Sequence, residues 1–264
     1  MELKIKHIPR NNQFLINNCI RLATKDYFDN LFLLGDLFPP CIDLTDVYGV
    51  FDREALISLF TVFKGFDCSS VVIPKSSEET EAVILSHLFH ILPEKFILVS
   101  PSLTEKVLSS HFRIQEKSSE ICMITDRKRE NFLDSDHSLI HASLKDLSRI
   151  DEFYQANHTF PWSSIQLESN FYFFQEINDQ IVACGGTHFE TPKLAHLGNV
   201  LVISEYRGKS LGKNLVSTIG NEILKTKRFI TLFVVQDNVP AIRLYEKLGF
   251  SSYKNFTLFS CVSV

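Results

Sequence analysis

Apolar residues fall along the first half of this chain in short runs and helical stripes. Phe14, Leu15, Cys19 and Leu22 stand at helical spacing, which predicts an amphipathic helix over 11–25. Residues 30–37 (NLFLLGDL) and 47–51 (VYGVF) read as strands on either side of a turn at Pro39-Pro40. Asp52 is expected to cap a helix extending to about Phe63. Val71, Val72 and Ile73 predict a short buried strand, and Ser77, with Glu79 and Glu81, opens a helix to about Ile91. A strand at 96–99 follows, then a short helix capped by Ser102 and two strands near 111–116 and 120–125.

The second half is more strongly patterned. A strand is expected at 137–142, a helix at 144–155, and a loop over NHTFPWSS. Residues 171–176 and 180–189 read as a hairpin across Asn178-Asp179. Leu201, Val202 and Ile203 form an apolar run of the kind a strand covered on both faces carries. Leu211, Leu215, Ile219, Ile223 and Leu224 make the apolar stripe of a helix, and the buried strand FITLFVV, a second helix and a strand at 253–262 complete the order. Strand, helix, strand, helix and strand pair over 71–125 repeats the order of 199–262, so the first half reads as a degenerate copy of the second. The polar stretch 126–135 (DRKRENFLDS) is the expected boundary between domains at 1–130 and 136–264.

Composition narrows the functional classes. The 264 residues are 45% hydrophobic and 22% charged, enough for a substantial core and unlike a disordered chain. A formal net charge of -4 with scattered basic residues gives no footprint for nucleic acid. Cysteines 19, 41, 68, 122, 184 and 261 form no C-x-x-C pair and no metal-type spacing, so reduced buried thiols and no metal are expected. The start MELKIKHIPRNNQ lacks the apolar run of a signal peptide, and no stretch approaches the ~18 apolar residues of a membrane helix. A soluble cytoplasmic protein, monomer or homodimer, is the expectation.

Tyr206-Arg207-Gly208-Lys209-Ser210-Leu211-Gly212 leaves a strand and opens a helix. First-turn N–H groups there have no internal partner, and the helix dipole turns its positive end outward. Gly208 and Gly212 let a ligand lie on the backbone, so the loop is an anion cradle suited to a pyrophosphate. In the first half the counterpart is PKSSEETE, whose carboxylates would repel one.

RGKSLG resembles the acyl-CoA loop of the GNAT acyltransferase superfamily, Arg/Gln-x-x-Gly-x-Gly/Ala, with Ser210 where that family usually has Gly. Asn238, Ala241, Tyr245, Gly249 and Phe250 resemble its second signature, and the tandem order is similar to FR47-like and glycine N-acyltransferase-like members. The resemblance implies an α/β (α+β) fold of two GNAT-like domains. Each would be a mixed, mostly antiparallel sheet flanked by helices, the N-terminal one degenerate. It further implies an acyl-CoA-dependent N-acyltransferase that moves an acetyl group from acetyl-CoA, or another short acyl-CoA, to a small-molecule or amino-acid-like amine. Direct attack in a ternary complex is the expected mechanism.

Cofactor contacts carried over are Val200, Leu201 and Val202 along the strand, Arg207, Gly208, Lys209, Ser210, Leu211, Gly212 and Lys213 at the loop, and Asn238 at the arm. Ser210 is expected to act as a helix N-cap. Tyr245 matches the family's general acid, against a core tyrosine as the other reading. Relatives place a base at the positions of Phe233 or His196; His196 reads equally as a base of pKa near ~6.5 and as a strand histidine facing solvent. His188 and His158, the latter near Phe160 and Trp162, are substrate-side candidates. Cys184 before Gly185-Gly186 marks a bend, not a nucleophile. A non-catalytic CoA-binding sensor is the alternative.

Overall fold

The structure, a computed structural model, describes residues 3–134, 138–157, 162–168 and 171–263. The first half runs β1 (Leu3–Ile8), α1 (Gln13–Ala23), α2 (Leu31–Asp36), β2 (Thr45–Asp52), β3 (Ala55–Phe63), β4 (Ser69–Val72), α3 (Glu78–Leu88), β5 (Lys95–Val99), α4 (Glu105–Leu108) and β6 (Phe112–Asp126). The second runs β7 (Ile140–His141), α5 (Leu147–Ala156), β8 (Phe173–Ile177), β9 (Gln180–Glu190), β10 (Leu194–Val202), α6 (Leu211–Thr226), β11 (Phe229–Val235), α7 (Val239–Lys247) and β12 (Ser251–Ser263).

Two compact units result: Met1–Ser119 with Phe256–Val264, and Glu120–Asn255. In the first, strands stand in the order β1-β2-β3-β4-β5, antiparallel except for the parallel step from β4 to β5, and the C-terminal part of β12 pairs antiparallel with β5. In the second, β7-β8-β9-β10 are antiparallel, β10 to β11 is the parallel step, and the last part of β6 pairs antiparallel with β11. Each parallel step is bridged by a crossover helix, α3 or α6, as parallel neighbours require. Both units are thus one pattern used twice, and each is closed by a strand from the other half of the chain.

Four sequence expectations are corrected in the element order. Residues 30–37 contain α2, not a strand; Leu31, Leu33, Leu34 and Gly35 are all buried, so the run shows no polar face to mark it as helical. Residues 55–63 form β3, not a helix, because Asp52 and Ala55 close a two-residue hairpin in which Arg53 takes φ 55. Residues 112–126 form the single strand β6, polar and exposed at its middle, where two strands were expected. Thr104, not Ser102, caps α4.

In the second unit, α6 buries Leu215, Ile219 and Ile223 against Ala195, Leu197 and Leu232. A separate cluster gathers Ile150, Phe153 and Tyr154 of α5 with Tyr172, Phe174 and Cys184. Among the described residues no helix is long and apolar enough to cross a membrane.

Candidate active site

The site is built where β10 leaves β11. These strands pair only from Leu194–Phe229 to Leu197–Leu232. Gly198 still opposes Gly186 on β9, but the next matched pair is Leu201 with Cys184, so β10 carries an extra residue there; Asn199, at φ 53, marks it. Such a bulge bends a strand and ends pairing on one side. Val200, Leu201 and Val202 therefore keep β9 as a neighbour while their β11 side has no strand partner. The first unit does not open in this way. There β4 and β5 pair from Ser69–Phe96 to Val72–Val99, and Ile73 N–H continues to the Val99 carbonyl at 3.0 Å.

The loop after β10 is tied down by Arg207, whose Nε donates to the Val202 carbonyl at 3.0 Å. Gly208 has φ 77 and open space where a Cβ would stand. Ser210 corrects an expectation: it sits at φ 62 and ψ 5, in the left-handed region, and its hydroxyl caps nothing. Among the described residues, the backbone N–H groups of Gly208 through Lys213 have no protein acceptor. Gly212 packs beside Val202 and Leu244, so strand, loop and α7 meet at this glycine. The Lys209 ammonium lies 4.6 Å from the centre of the Tyr206 ring. Unpaired amides, a helix dipole and two lysines make the rim electropositive. At the equivalent helix start of the first unit, Glu81 Oε1 accepts from Ser76 N–H at 3.2 Å and from the Ser102 hydroxyl at 2.6 Å. The chain's own carboxylate takes up donors there that an anion would otherwise use.

Tyr245 lies on α7 in the cluster that also holds Val200, Val202 and Leu211. It is buried, its ring edge-to-face with Phe250 at 5.7 Å, and among the described residues its hydroxyl has no hydrogen-bond partner. Burial pushes its pKa up to about 12, so the phenol keeps its proton at neutral pH. Asn238 is exposed and caps α7, accepting from Ala241 N–H at 3.2 Å. Gly249 ends that helix at φ 87; a Cβ would stand 1.9 Å from the Arg129 carbonyl oxygen, so the glycine of the motif is required by the backbone itself.

His196 matches neither reading of a solvent-facing strand histidine nor of a base with an ordinary pKa. It is 1% exposed, its Nδ1 is 2.9 Å from Thr231 Oγ1, and its ring stacks on Phe189 at 4.8 Å. Burial, with His188 nearby, holds its pKa well below the usual value, so it is neutral at physiological pH and cannot be the source of an ionisation near ~6.5. Phe233 packs edge-on to it at 5.3 Å.

Sequence reasoning missed a polar group on the α5 side of the sheet. Tyr154 hydroxyl donates to the Asn199 carbonyl at 2.8 Å and lies 3.1 Å from the Tyr172 hydroxyl. Asn199 Nδ2 donates to Gln166 Oε1 at 2.7 Å. The bulge is thus fastened from outside the sheet by two side chains that no motif spacing connects. Cys184 is fully buried and its thiol is pushed up to about 12, which leaves it inert. Gly186 makes room for the Tyr172 ring and Gly185 for Val200, so the pair serves close packing. The Trp162 ring lies tilted against Tyr154, centres 4.8 Å apart, while His158 and Phe160 lie outside the described residues. Among the described residues no three His, Cys, Asp or Glu side chains gather to hold a metal ion.

An opened parallel strand pair followed by an unpaired amide loop on a crossover helix defines a class. Residues 141–250 match the profile of the Acetyltransferase (GNAT) family. The chain is also 44% identical over 62 residues to the N-terminal acetyltransferase B complex catalytic subunit NAA20 of Arabidopsis thaliana, a match spanning 22% of this chain and 35% of that protein. A GNAT-family protein of Novosphingobium aromaticivorans superposes with TM-score 0.64 at 21% identity, covering 78% of this chain and 88% of its own. A tandem GNAT protein from the clavulanic acid biosynthesis pathway superposes with TM-score 0.65 at 13% identity over 98% of both chains. The fold is that of the GNAT acetyltransferases, in tandem.

Proposed function

We propose that this protein is an acetyl-CoA-dependent N-acetyltransferase whose second unit alone binds the cofactor and acts on a small-molecule or amino-acid-like amine. The observation that carries this is the divergence of β10 from β11 directly before the unpaired amides of Gly208 to Lys213. Those amides, with Lys209 and Lys213, hold a pyrophosphate; the free side of Val200, Leu201 and Val202 pairs with an amide-bearing arm, and Asn238 lies at its edge. A backbone N–H past the bulge faces the thioester oxygen as charge develops there. The neutral amine attacks the thioester carbon directly, and a C–N bond forms as the C–S bond breaks. Tyr245, which holds its proton at neutral pH, passes it to the departing thiolate, and the proton shed by the nitrogen returns through water to the phenolate. The paired β4–β5 step and the Glu81 carboxylate argue against a second site in the first unit.

Calorimetry with acetyl-CoA should give one site per chain. Gly212→Glu should abolish it: a Cβ at this position meets Val202 and Leu244 only at ordinary distances of 3.6 and 3.7 Å, so the fold tolerates the change while the carboxylate repels phosphate. Unchanged binding would remove the site from this loop. A second reading, a CoA-binding protein without turnover, is favoured by Ser210 in a glycine-like conformation and by Phe233 where relatives carry a carboxylate. Release of free CoA thiol with any amine of a panel decides against it.

A further inference from the structure

We propose that Gln166 and His188 form the acceptor subsite, and that the acceptor is an amine whose adjacent carbon bears a neutral carbonyl, as in a peptide N-terminus or an amino-acid amide. This rests on the transfer reading above. Two bulges face each other at this point. On β9 the partner sequence passes from Phe189 to Thr187 while β10 advances from His196 to Leu197, so His188 is the extra residue of β9, as Asn199 marks that of β10. Bulges re-aim side chains beside active sites. Here they bring His188 and Asn199 to the place where β10 leaves β11, and Asn199 holds Gln166 there. His188 Nε2 lies over Gly198, 2.2 Å from where a Cβ would be, so only glycine admits the imidazole.

Both side chains present an unused polar atom. Gln166 is 2% exposed; its Oε1 is taken by Asn199 Nδ2, which fixes the amide plane, and its Nε2 has no partner. His188 Nε2 is also buried without a partner. Burial, the larger effect, keeps the ring neutral against the opposing influence of the Asn199 side chain, so the ring carries one lone pair, which we place on Nε2. His188 lies over Gly198 and Gln166 holds Asn199, consecutive residues of β10, so a nitrogen acceptor and an N–H donor stand beside the same stretch of strand. An α-amine with its carbonyl satisfies both, giving an N–H to His188 and a carbonyl oxygen to Gln166. A free carboxylate fits poorly. Tyr154 and Tyr172 keep their protons and His188 is uncharged, so the group as a whole is neutral, and a buried anion without a countercharge is disfavoured.

The test uses the full chain with acetyl-CoA and follows thiol release. For the side chain that works best among amino-acid amides, the amide, the free acid and the amine lacking the carbonyl are compared at equal concentrations of neutral amine. The amide should lead in kcat/KM by ~10- to 100-fold, since the amine lacking the carbonyl leaves a buried donor unpaired and the free acid buries a charge without a partner. Gln166→Leu should shrink the lead of the amide over the amine lacking the carbonyl to within about threefold, a ratio taken within one variant so that any loss of acetyl-CoA affinity from the loosened bulge cancels. Gln166→Glu, which still accepts from Asn199 but loses the donor, should do the same and serves if the leucine variant does not fold. Equal rates for the three acceptors, or a lead that survives in the folded variant, would overturn the subsite and leave the transferase standing. If no amine releases thiol although acetyl-CoA binds, the transferase reading fails instead. Calorimetry of the amides on CoA-saturated protein then judges the subsite by itself: saturable binding lost in the Gln166 variants supports it, and no binding overturns it.

Discussion

Ser210 holds the residue before α6 at φ 62 and ψ 5, where an L-residue with a Cβ is strained by about 1–2 kcal/mol relative to the right-handed region. Its hydroxyl caps no N–H of α6, so glycine would lose no bond. Against the relieved strain stands the greater freedom of glycine in the unfolded chain, about 0.4–1 kcal/mol. The net for Ser210→Gly is a stabilisation of about 0.5–1 kcal/mol, or roughly 1–4 °C in the melting of the unit that contains it. Ser210→Ala is the control: it keeps the strain, loses no hydrogen bond, and should stay within about 0.5 kcal/mol of the parent. Thermal melts of the three proteins, with and without acetyl-CoA, give both numbers. Because the backbone N–H is common to all three, cofactor affinity should change by less than about threefold, under 1 kcal/mol. Loss of stability in both variants would show that the hydroxyl caps α6 after all, and the left-handed assignment would be wrong.

Legibility in the sequence followed how directly local chemistry dictates the backbone. Asn178-Asp179 take φ 52 and 61, a turn that asparagine and aspartate tolerate, and the hairpin was readable for that reason. Arg53 takes φ 55 with no glycine or asparagine to announce it, so β3 was mistaken for a helix. The signature positions were readable because each answers a local demand: Gly208 and Gly249 have positive φ, and Asn238 caps a helix. The repeat of element order was also readable, whereas the origin of the closing strand in each unit was not, since β5–β12 and β6–β11 pair residues far apart in the chain. The acceptor side was hidden for the same reason. Gln166, Tyr154 and Asn199 lie on three elements, and only folding brings their polar atoms within hydrogen-bonding distance.

Three further outcomes are expected. Asp36 is buried with the Thr61 hydroxyl at 2.5 Å, and burial lifts its carboxyl from 3.8 to about 7. A folded pKa above the unfolded one means full stability at low pH, lost as pH rises through 7. Denaturant titrations should therefore show the advantage of Asp36→Asn growing by ~1.4 kcal/mol per pH unit between roughly 4 and 7, and parallel curves would show that this carboxyl does not titrate there. Gly249→Ala should destabilise by more than about 1–2 kcal/mol, the left-handed strain alone, because its Cβ also meets the Arg129 carbonyl; a melt matching the parent would refute the turn geometry. Tyr245→Phe removes one oxygen from a buried ring whose packing on Phe250 does not depend on it. Stability and acetyl-CoA affinity should thus hold, while kcat should fall by ~10²- to 10⁴-fold if the phenol delivers the leaving-group proton. With a pKa raised to about 12, the hydroxyl stays protonated through the alkaline range, so the parent rate should show no decline where an ordinary tyrosine ionises. A kcat reduced less than about tenfold would return Tyr245 to the core, with the thiolate leaving unprotonated or taking its proton from water, because a positioned acid is worth more than that.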